Sequence, residues 1–315
     1  NTDADVLVFK TQHFGSLGSF DFDFCNRDGL LKDYRLSRKK KLPSNSYLLS
    51  RGEFGGYDAI YHLFASSFFS FLKHYPSVPA DIQFVHLYPG GGYAFTHIPF
   101  PKGVNIISTH PETTELYKNE KKIECLFGAY VDSESKITSK DFKNKQQITV
   151  CFSSVGTPKF KGDAIYLRVV DQYSKQYPND NINFISVGNC MKHPLVQHYP
   201  AMDYISLDKF YRDKVDVYLS AETGLAANGW PLGLEAAVTG SVILTTDTRN
   251  TAEKLNVPAQ SFITCKDVDD FVAEIRQLYI NREYANTCSH NTKSFLLKNI
   301  SPANQQERIL NWMQE

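Results

Sequence analysis

The stretch Val215 to Asp247, VDVYLSAETGLAANGWPLGLEAAVTGSVILTTD, decides the reading of this chain. Val215 to Ser220 is a short apolar run of β-branched and aromatic residues, the pattern of a buried strand. The turn-forming region Glu222 to Gly229 follows it. Pro231 suits the first position of a helix, where its missing N–H removes no bond. Leu232, Leu234, Glu235, Ala236, Ala237 and Val238 continue that helix until Gly240 stops it. Val242 to Thr246 is a second strand. This strand–loop–helix–strand unit presents a helix N-terminus at one edge of a parallel sheet. The unpaired N–H groups and positive dipole end there favour an anion such as a diphosphate.

The surroundings fit a two-domain α/β chain. At 315 residues the polypeptide is long enough for two full cores. Lys+Arg and Asp+Glu each number 34, and that balance argues against a general nucleic-acid binder, which needs excess cations. Its 18 Tyr and 22 Phe suit cores first and sugar stacking second. The six cysteines contain no C-x-x-C pair and read as reduced thiols of a cytoplasmic protein, not as a zinc site or a disulfide framework. No apolar run reaches the roughly 18 residues of a membrane span. No secretory leader is read at the start. The chain opens at Asn1 without Met, which leaves room for residues ahead of it.

Outward from the deciding stretch, strand, helix and turn alternate from 148 to 265, the pattern of a doubly wound parallel sheet. Ile148 to Phe152 and Ile182 to Val187 read as strands, the second ending at Gly188. Asp267 to Leu278 reads as an amphipathic helix, and Ser301-Pro302 opens a terminal helix. Residues 133–147 are polar and charge-rich, a linker by composition. Nearer the start, Asp5 to Phe9, Ser46 to Ser50, Ile82 to Leu87 and Val104 to Ser108 read as strands. Tyr57 to Tyr75 reads as one long apolar helix, with Gly55 and Gly56 at the turn before it. Pro111 begins a helix directly after His110. The basic run Arg35 to Lys41 is first a solvated loop; its sharper reading is a contact with anionic lipid head groups.

NGWPLGLEAAVTGSVILTTD resembles the donor-site segment of the retaining, group 1 (family 4-like) glycosyltransferases of the GT-B fold. That resemblance implies two Rossmann-like doubly wound domains facing across a cleft, with a C-terminal helix crossing back. The implied domains are 1–143 on the acceptor side, 144–300 for the nucleotide sugar, and a helix over 301–315 packed on the first. It implies transfer of a sugar from a nucleotide-diphosphate donor to a glycan or lipid-linked acceptor, with retention, in surface polysaccharide or glycoconjugate synthesis. The implied location is the cytoplasm, with peripheral membrane contact as an extension, and no metal or other cofactor is expected.

Residue by residue, the resemblance gives Glu235 the nucleotide ribose. Lys161, which stands before Gly162 as in the family, takes the donor diphosphate together with Lys159. The family's loop arginine falls near Ser154, so one positive charge is missing. Gly188 takes the family's glycine turn, Gly229, Trp230 and Leu234 belong to the helix-end cradle, and Gly56 lets backbone approach the ligand. The family's earlier glutamate falls on Ala227, or on Asn228 in an alignment shorter by one; Glu222 lies earlier in a lengthened loop. Asn228 or Glu222 would read the sugar, and His110 would face the cleft. The same departures motivate an alternative, a catalytically silent GT-B subunit that binds glycan or a partner transferase. A sugar-nucleotide epimerase ranks third, because paired acid and base carboxylates are not found.

Overall fold

The structure is a computed structural model. It describes residues 6–7, 46–47, 60–62, 65–74, 76–87, 97–108, 111–119, 122–123, 134–154, 162–221, 231–246 and 256–301, with positions 253, 303, 304 and 307. The chain forms two compact units, Asn1–Cys125 and Leu126–Glu315.

The first unit holds a four-stranded parallel sheet in sequential order: β3 (Ile60–His62), β4 (Gln83–Leu87), β5 (Asn105–Ser108) and β6 (Lys122–Ile123). Two short strands, β1 (Val6–Leu7) and β2 (Ser46–Tyr47), pair parallel to each other. Helix α1 (Ala65–His74) follows β3 and helix α2 (Pro111–Leu116) follows β5. Phe68 and Phe71 of α1 are buried, and Phe68 packs with Val85, Leu87, Ile106 and Tyr117. Pro111 opens its helix as expected, because its missing N–H removes no intrahelical bond.

One expectation fails here. Residues 57–75 do not form a single helix, since Ile60–His62 is a strand beside β4 and the helix begins only at Ala65. Burial decides it. Ile60 and His62 both point into the unit, and the His62 ring lies edge-on to Phe68 and Phe71 and bonds to Gln83 Oε1 at 3.2 Å. Burial holds the His62 pKa down to about 4, so it is neutral at physiological pH.

The second unit is doubly wound. Its parallel strands are β7 (Ile148–Ser154), β8 (Ile182–Gly188), β9 (Gln197–Tyr199), β10 (Val217–Ser220), β11 (Val242–Thr245) and β12 (Phe262–Thr264). Their spatial order is β12-β11-β10-β7-β8-β9, which reverses direction between β7 and β10. The helices are α3 (Asp163–Gln176), α4 (Tyr204–Lys214), α5 (Pro231–Val238), α6 (Val268–Ile280) and α7 (Arg282–Ile300). Alternate residues serve opposite faces. Val150, Phe152, Val217 and Leu219 pack under α3 and α6, while Cys151, Tyr218 and Ile243 pack under α4 and α5. Helix α7 contributes to both layers, with Ala285 and Cys288 in the first and Phe295 and Leu296 in the second.

Residues 134–147 are not a loose linker. Ile137 and Phe142 are buried in the second unit's two layers. The Thr138 N–H donates to Val238 O, and the Lys140 N–H donates to Ser289 Oγ. The Lys140 ammonium donates to the carbonyls of Tyr211, Arg212 and Val215, capping the end of α4. Composition misleads because most of the segment's polar side chains do face water, while Ile137, Phe142 and the Lys140 ammonium dock it on the unit. The boundary of the units accordingly lies at Cys125/Leu126, ahead of the expected 143/144. Of the expected helix over 301–315, positions 303, 304 and 307 are described and are helical, and the rest of it and its crossing lie outside the described residues. No helix among the described residues is long and apolar enough to cross a membrane.

Candidate active site

In an open parallel sheet, ligands bind beyond the carboxyl ends of the strands where the strand order reverses. In this unit that place lies between β7 and β10, so the site is built from the last residues of both strands and the helices that follow them.

Strand β7 ends at Ser154, which faces Gly188 of β8 in register. Gly188 has φ +93, and a Cβ there would stand 2.3 Å from Ser154 O, so only glycine lets the two strand ends meet this closely. The adjoining Asn189 N–H donates to the same carbonyl at 2.9 Å. Ser154 is fully buried, and its Oγ has no hydrogen-bond partner among the described residues.

Helix α3 starts from Gly162, whose φ of +85 is left-handed. A Cβ on Gly162 would lie 1.9 Å from Ala221 O, the residue just past β10. The turn into α3 and the exit of β10 are therefore in backbone contact. The next residue, Asp163, is 2 % exposed. Its Oδ1 accepts from the Met191 N–H at 2.9 Å, whereas its Oδ2 is buried without a hydrogen-bond partner among the described residues. Burial raises its pKa, and the bond from Met191 opposes that rise.

On the other face, Ser220 Oγ is also buried and has no hydrogen-bond partner among the described residues. Helix α5 carries Leu234, whose side chain is in the core, and Glu235, which is half-buried. Burial raises the Glu235 pKa, and the carboxyl has no hydrogen-bonding or ionic partner among the described residues. Beneath it lies a buried hydroxyl network. Tyr211 OH donates to Ser153 Oγ at 3.1 Å, and the Ser153 and Tyr218 hydroxyls hydrogen-bond to each other at 2.6 Å. Burial pushes the Tyr211 pKa up, and the charge of Glu235 contributes.

Two buried polar groups on the α3 face, Ser154 and Asp163, and on the opposite face Ser220 and the half-buried Glu235, thus lack hydrogen-bond partners among the described residues around the strand reversal. Each is costly to leave unmet, and such groups mark places completed by water or a ligand. Overlaid on solved structures, the chain matches three sugar-transfer enzymes. OtsA, a trehalose-6-phosphate synthase, matches with a TM-score of 0.57 and 10 % identity, over 91 % of this chain and 76 % of that one. WaaG, a glycosyltransferase involved in lipopolysaccharide biosynthesis, matches with a TM-score of 0.56 and 12 % identity, over 97 % and 98 %. Staphylococcus aureus TarM, in complex with fondaparinux, α-GlcNAc-glycerol and UDP, matches with a TM-score of 0.53 and 11 % identity, over 74 % and 51 %. The fold is GT-B. No protein-family model matches the sequence, nor does any curated protein.

Of the residues expected at a GT-B donor site, Ser154, Gly188, Leu234 and Glu235 are among the described residues: Ser154 and Gly188 meet at the ends of β7 and β8, while Leu234 and Glu235 lie on α5. Lys159 and Lys161 lie in 155–161, Glu222, Asn228, Gly229 and Trp230 in 222–230, and Gly56 and His110 in the first unit, all outside the described residues. Sequence reasoning missed Asp163 and Ser220. The signal for Asp163 is an acidic residue placed directly after Lys161-Gly162 at a helix start. Ser220 carries no signal of its own beyond ending a buried strand. Among the described residues, no cluster of His, Cys, Asp or Glu could hold a metal ion.

Proposed function

We propose that this chain is a glycosyltransferase that takes a sugar from a nucleotide-diphosphate donor and passes it to a glycan or lipid-linked acceptor, with retention at the anomeric carbon. Glu235 carries the reading. A half-buried carboxyl with a raised pKa and no partner, beside the amino end of α5, is suited to accept hydrogen bonds from the vicinal hydroxyls of a ribose. The diphosphate then lies toward the amino ends of α5 and α3, where helix dipoles favour negative charge. Lys159 and Lys161 neutralise it. That charge grows as the nucleoside diphosphate departs, so electrostatic stabilisation there lowers the barrier without a metal. Asn228 or Glu222 reads the sugar, Gly56 lets backbone approach the donor, and His110 faces the cleft as a catalytic candidate. The setting is surface polysaccharide or glycoconjugate synthesis in the cytoplasm, at or near a membrane.

Screening UDP-, GDP-, ADP- and dTDP-sugars for thermal stabilisation and donor hydrolysis tests the reading. Glu235→Ala should raise the donor KM roughly 10- to 150-fold, the worth of a lost charge-assisted hydrogen bond of about 1.5–3 kcal/mol. An unchanged KM removes the ribose assignment. A second reading, a silent GT-B subunit, is favoured by one feature: Ser154 stands where the family has a cation. It predicts no heat when any of these nucleotides is titrated into the protein.

A further inference from the structure

Asp163 and Ser154 are tied into one buried unit by the three residues that follow β8. The Asn189 N–H bonds to Ser154 O, the Met191 N–H bonds to Asp163 Oδ1, and the Cys190 thiol between them donates to Val187 O at 3.1 Å. Ser154 lies two residues beyond Phe152 on the face covered by α3, and Asp163 is the first residue of that helix. Each keeps one buried polar atom without a partner, Ser154 Oγ and Asp163 Oδ2. The β8 exit thus links the end of β7 to the amino end of α3, and on each side stands a side-chain oxygen, more than nine-tenths buried, with no hydrogen-bond partner among the described residues. The chemistry of this pair is unusual for an anion site, because one of the two groups is itself an acid.

Resting on the donor reading above, we propose that Ser154 and Asp163 receive a phosphoryl oxygen of the donor diphosphate, with Asp163 binding as the neutral carboxylic acid, so that donor binding takes up a proton. An ionised carboxylate and a phosphate oxygen repel each other in a buried site. The protonated acid instead donates its Oδ2–H to the phosphate oxygen, a charge-assisted hydrogen bond. The proton comes from solvent. The bond formed is O–H···O⁻, and no covalent bond changes. The free protein is already biased this way, since burial lifts the pKa of Asp163.

The groups facing Asp163 do not remove that bias. From the β8 exit there is the Cys190 thiol, whose pKa is pushed up to about 11 by burial and then by the charge of Asp163, so it stays neutral. From β7 there is Ser154, from the β10 exit Ala221, and on α3 itself Tyr166, whose pKa is raised by burial. Lys159 and Lys161, which precede Asp163 in the sequence and lie outside the described residues, are cations that would oppose protonation if near it, so net proton uptake is the quantity to measure.

The experiment is calorimetric titration of the full chain with whichever nucleotide sugar from the screen stabilises it. A nucleotide sugar is chosen over a free nucleoside diphosphate because its doubly esterified diphosphate does not titrate near neutrality. Titrations at one pH in buffers of different ionisation enthalpy should give an observed enthalpy that rises with buffer enthalpy, with a slope approaching one proton taken up. Affinity should strengthen by up to about tenfold for each unit fall in pH in that range, the limit for single-proton linkage. Asp163→Asn should bring the slope near zero. Binding with zero slope in the unmodified protein overturns this inference and leaves the donor reading standing. A slope that persists in Asp163→Asn assigns the proton elsewhere and also overturns it. Absence of binding by every nucleotide sugar removes both. The slope of the unmodified protein decides the matter even where Asp163→Asn folds poorly.

Discussion

Replacing Gly162 by alanine isolates the contact on which the site's geometry rests. Two costs add. Gly162 sits at φ +85, where an L-residue with a Cβ loses about 1–2 kcal/mol. The new Cβ would also stand 1.9 Å from the Ala221 carbonyl oxygen and 2.5 Å from its carbon, and backbone cannot swing aside like a side-chain tip. Forced displacement of packed atoms costs about 1–3 kcal/mol more, so the total is about 2–5 kcal/mol. Gly103 supplies the control. Its φ is +95, but its nearest neighbour would be Ala80 Cβ at 3.6 Å, an ordinary contact. Gly103→Ala should therefore lose only the backbone part, about 1–2 kcal/mol. Urea unfolding of both variants, with the two units followed separately, measures the difference. Ala221 leads into 222–230, so Gly162→Ala should also weaken nucleotide-sugar binding, whereas Gly103→Ala should not. If Gly162→Ala loses no more stability than Gly103→Ala and binds donor normally, the two turns are not in the rigid contact argued above.

Three further outcomes are expected. Lys140, buried against three carbonyls, has a pKa held down to about 8, mainly by burial. Between that value and its ordinary pKa of 10.5 the unfolded chain binds the extra proton, so the unmodified protein should gain stability relative to Lys140→Met as pH rises through this window, measured by urea midpoints at pH 8 and 10. Glu235→Gln should raise the melting temperature of the ligand-free protein at pH 7 but not near pH 4. A carboxyl whose folded pKa is raised destabilises the fold once pH exceeds its unfolded value, and the amide has no such charge. Tyr211→Phe removes the hydrogen bond donated to Ser153 Oγ and should cost about 1–3 kcal/mol, accompanied by a weaker donor affinity if the hydroxyl network supports Glu235. An unchanged donor affinity with lowered stability would confine that network to a structural role.

The second unit was legible wherever burial and residue type agree. Val242 to Thr245 is apolar and β-branched because both faces of a central parallel strand are covered, and no polar residue interrupts it until the strand ends. Pro231 and Glu235 were readable because a helix start after a buried strand imposes a pattern on the letters. Helix α7 was not read from the sequence at all. Its buried face includes Ser289 and Thr292, whose hydroxyls donate to Gly240 O and Ser261 O, so the expected apolar stripe is written partly in polar letters. The docked segment 134–147 hid for the same reason, with Lys140 buried by serving carbonyls. Ile60–His62 was lost because an apolar run beside a Phe-rich helix has no local mark of where strand ends and helix begins, and pairing with β4 settles it.

Asp163 shows what remains when pattern is exhausted. Its letter alone suggests a favourable acid in the first turn of a helix, the common role of such a residue. What changes the argument is that one oxygen is engaged by Met191 and the other is buried with nothing to meet it, beside a serine in the same state. A carboxylate left so would be a steady cost to the folded chain, and simple capping does not need the second oxygen buried. The cost is relieved by a proton, and the proton turns the group into a donor at the place where the donor reading puts a phosphate. If titration of the nucleotide sugar shows no linked proton, the buried oxygen must be met by ordered water, and Asp163 returns to being the latch that holds the β8 exit against α3.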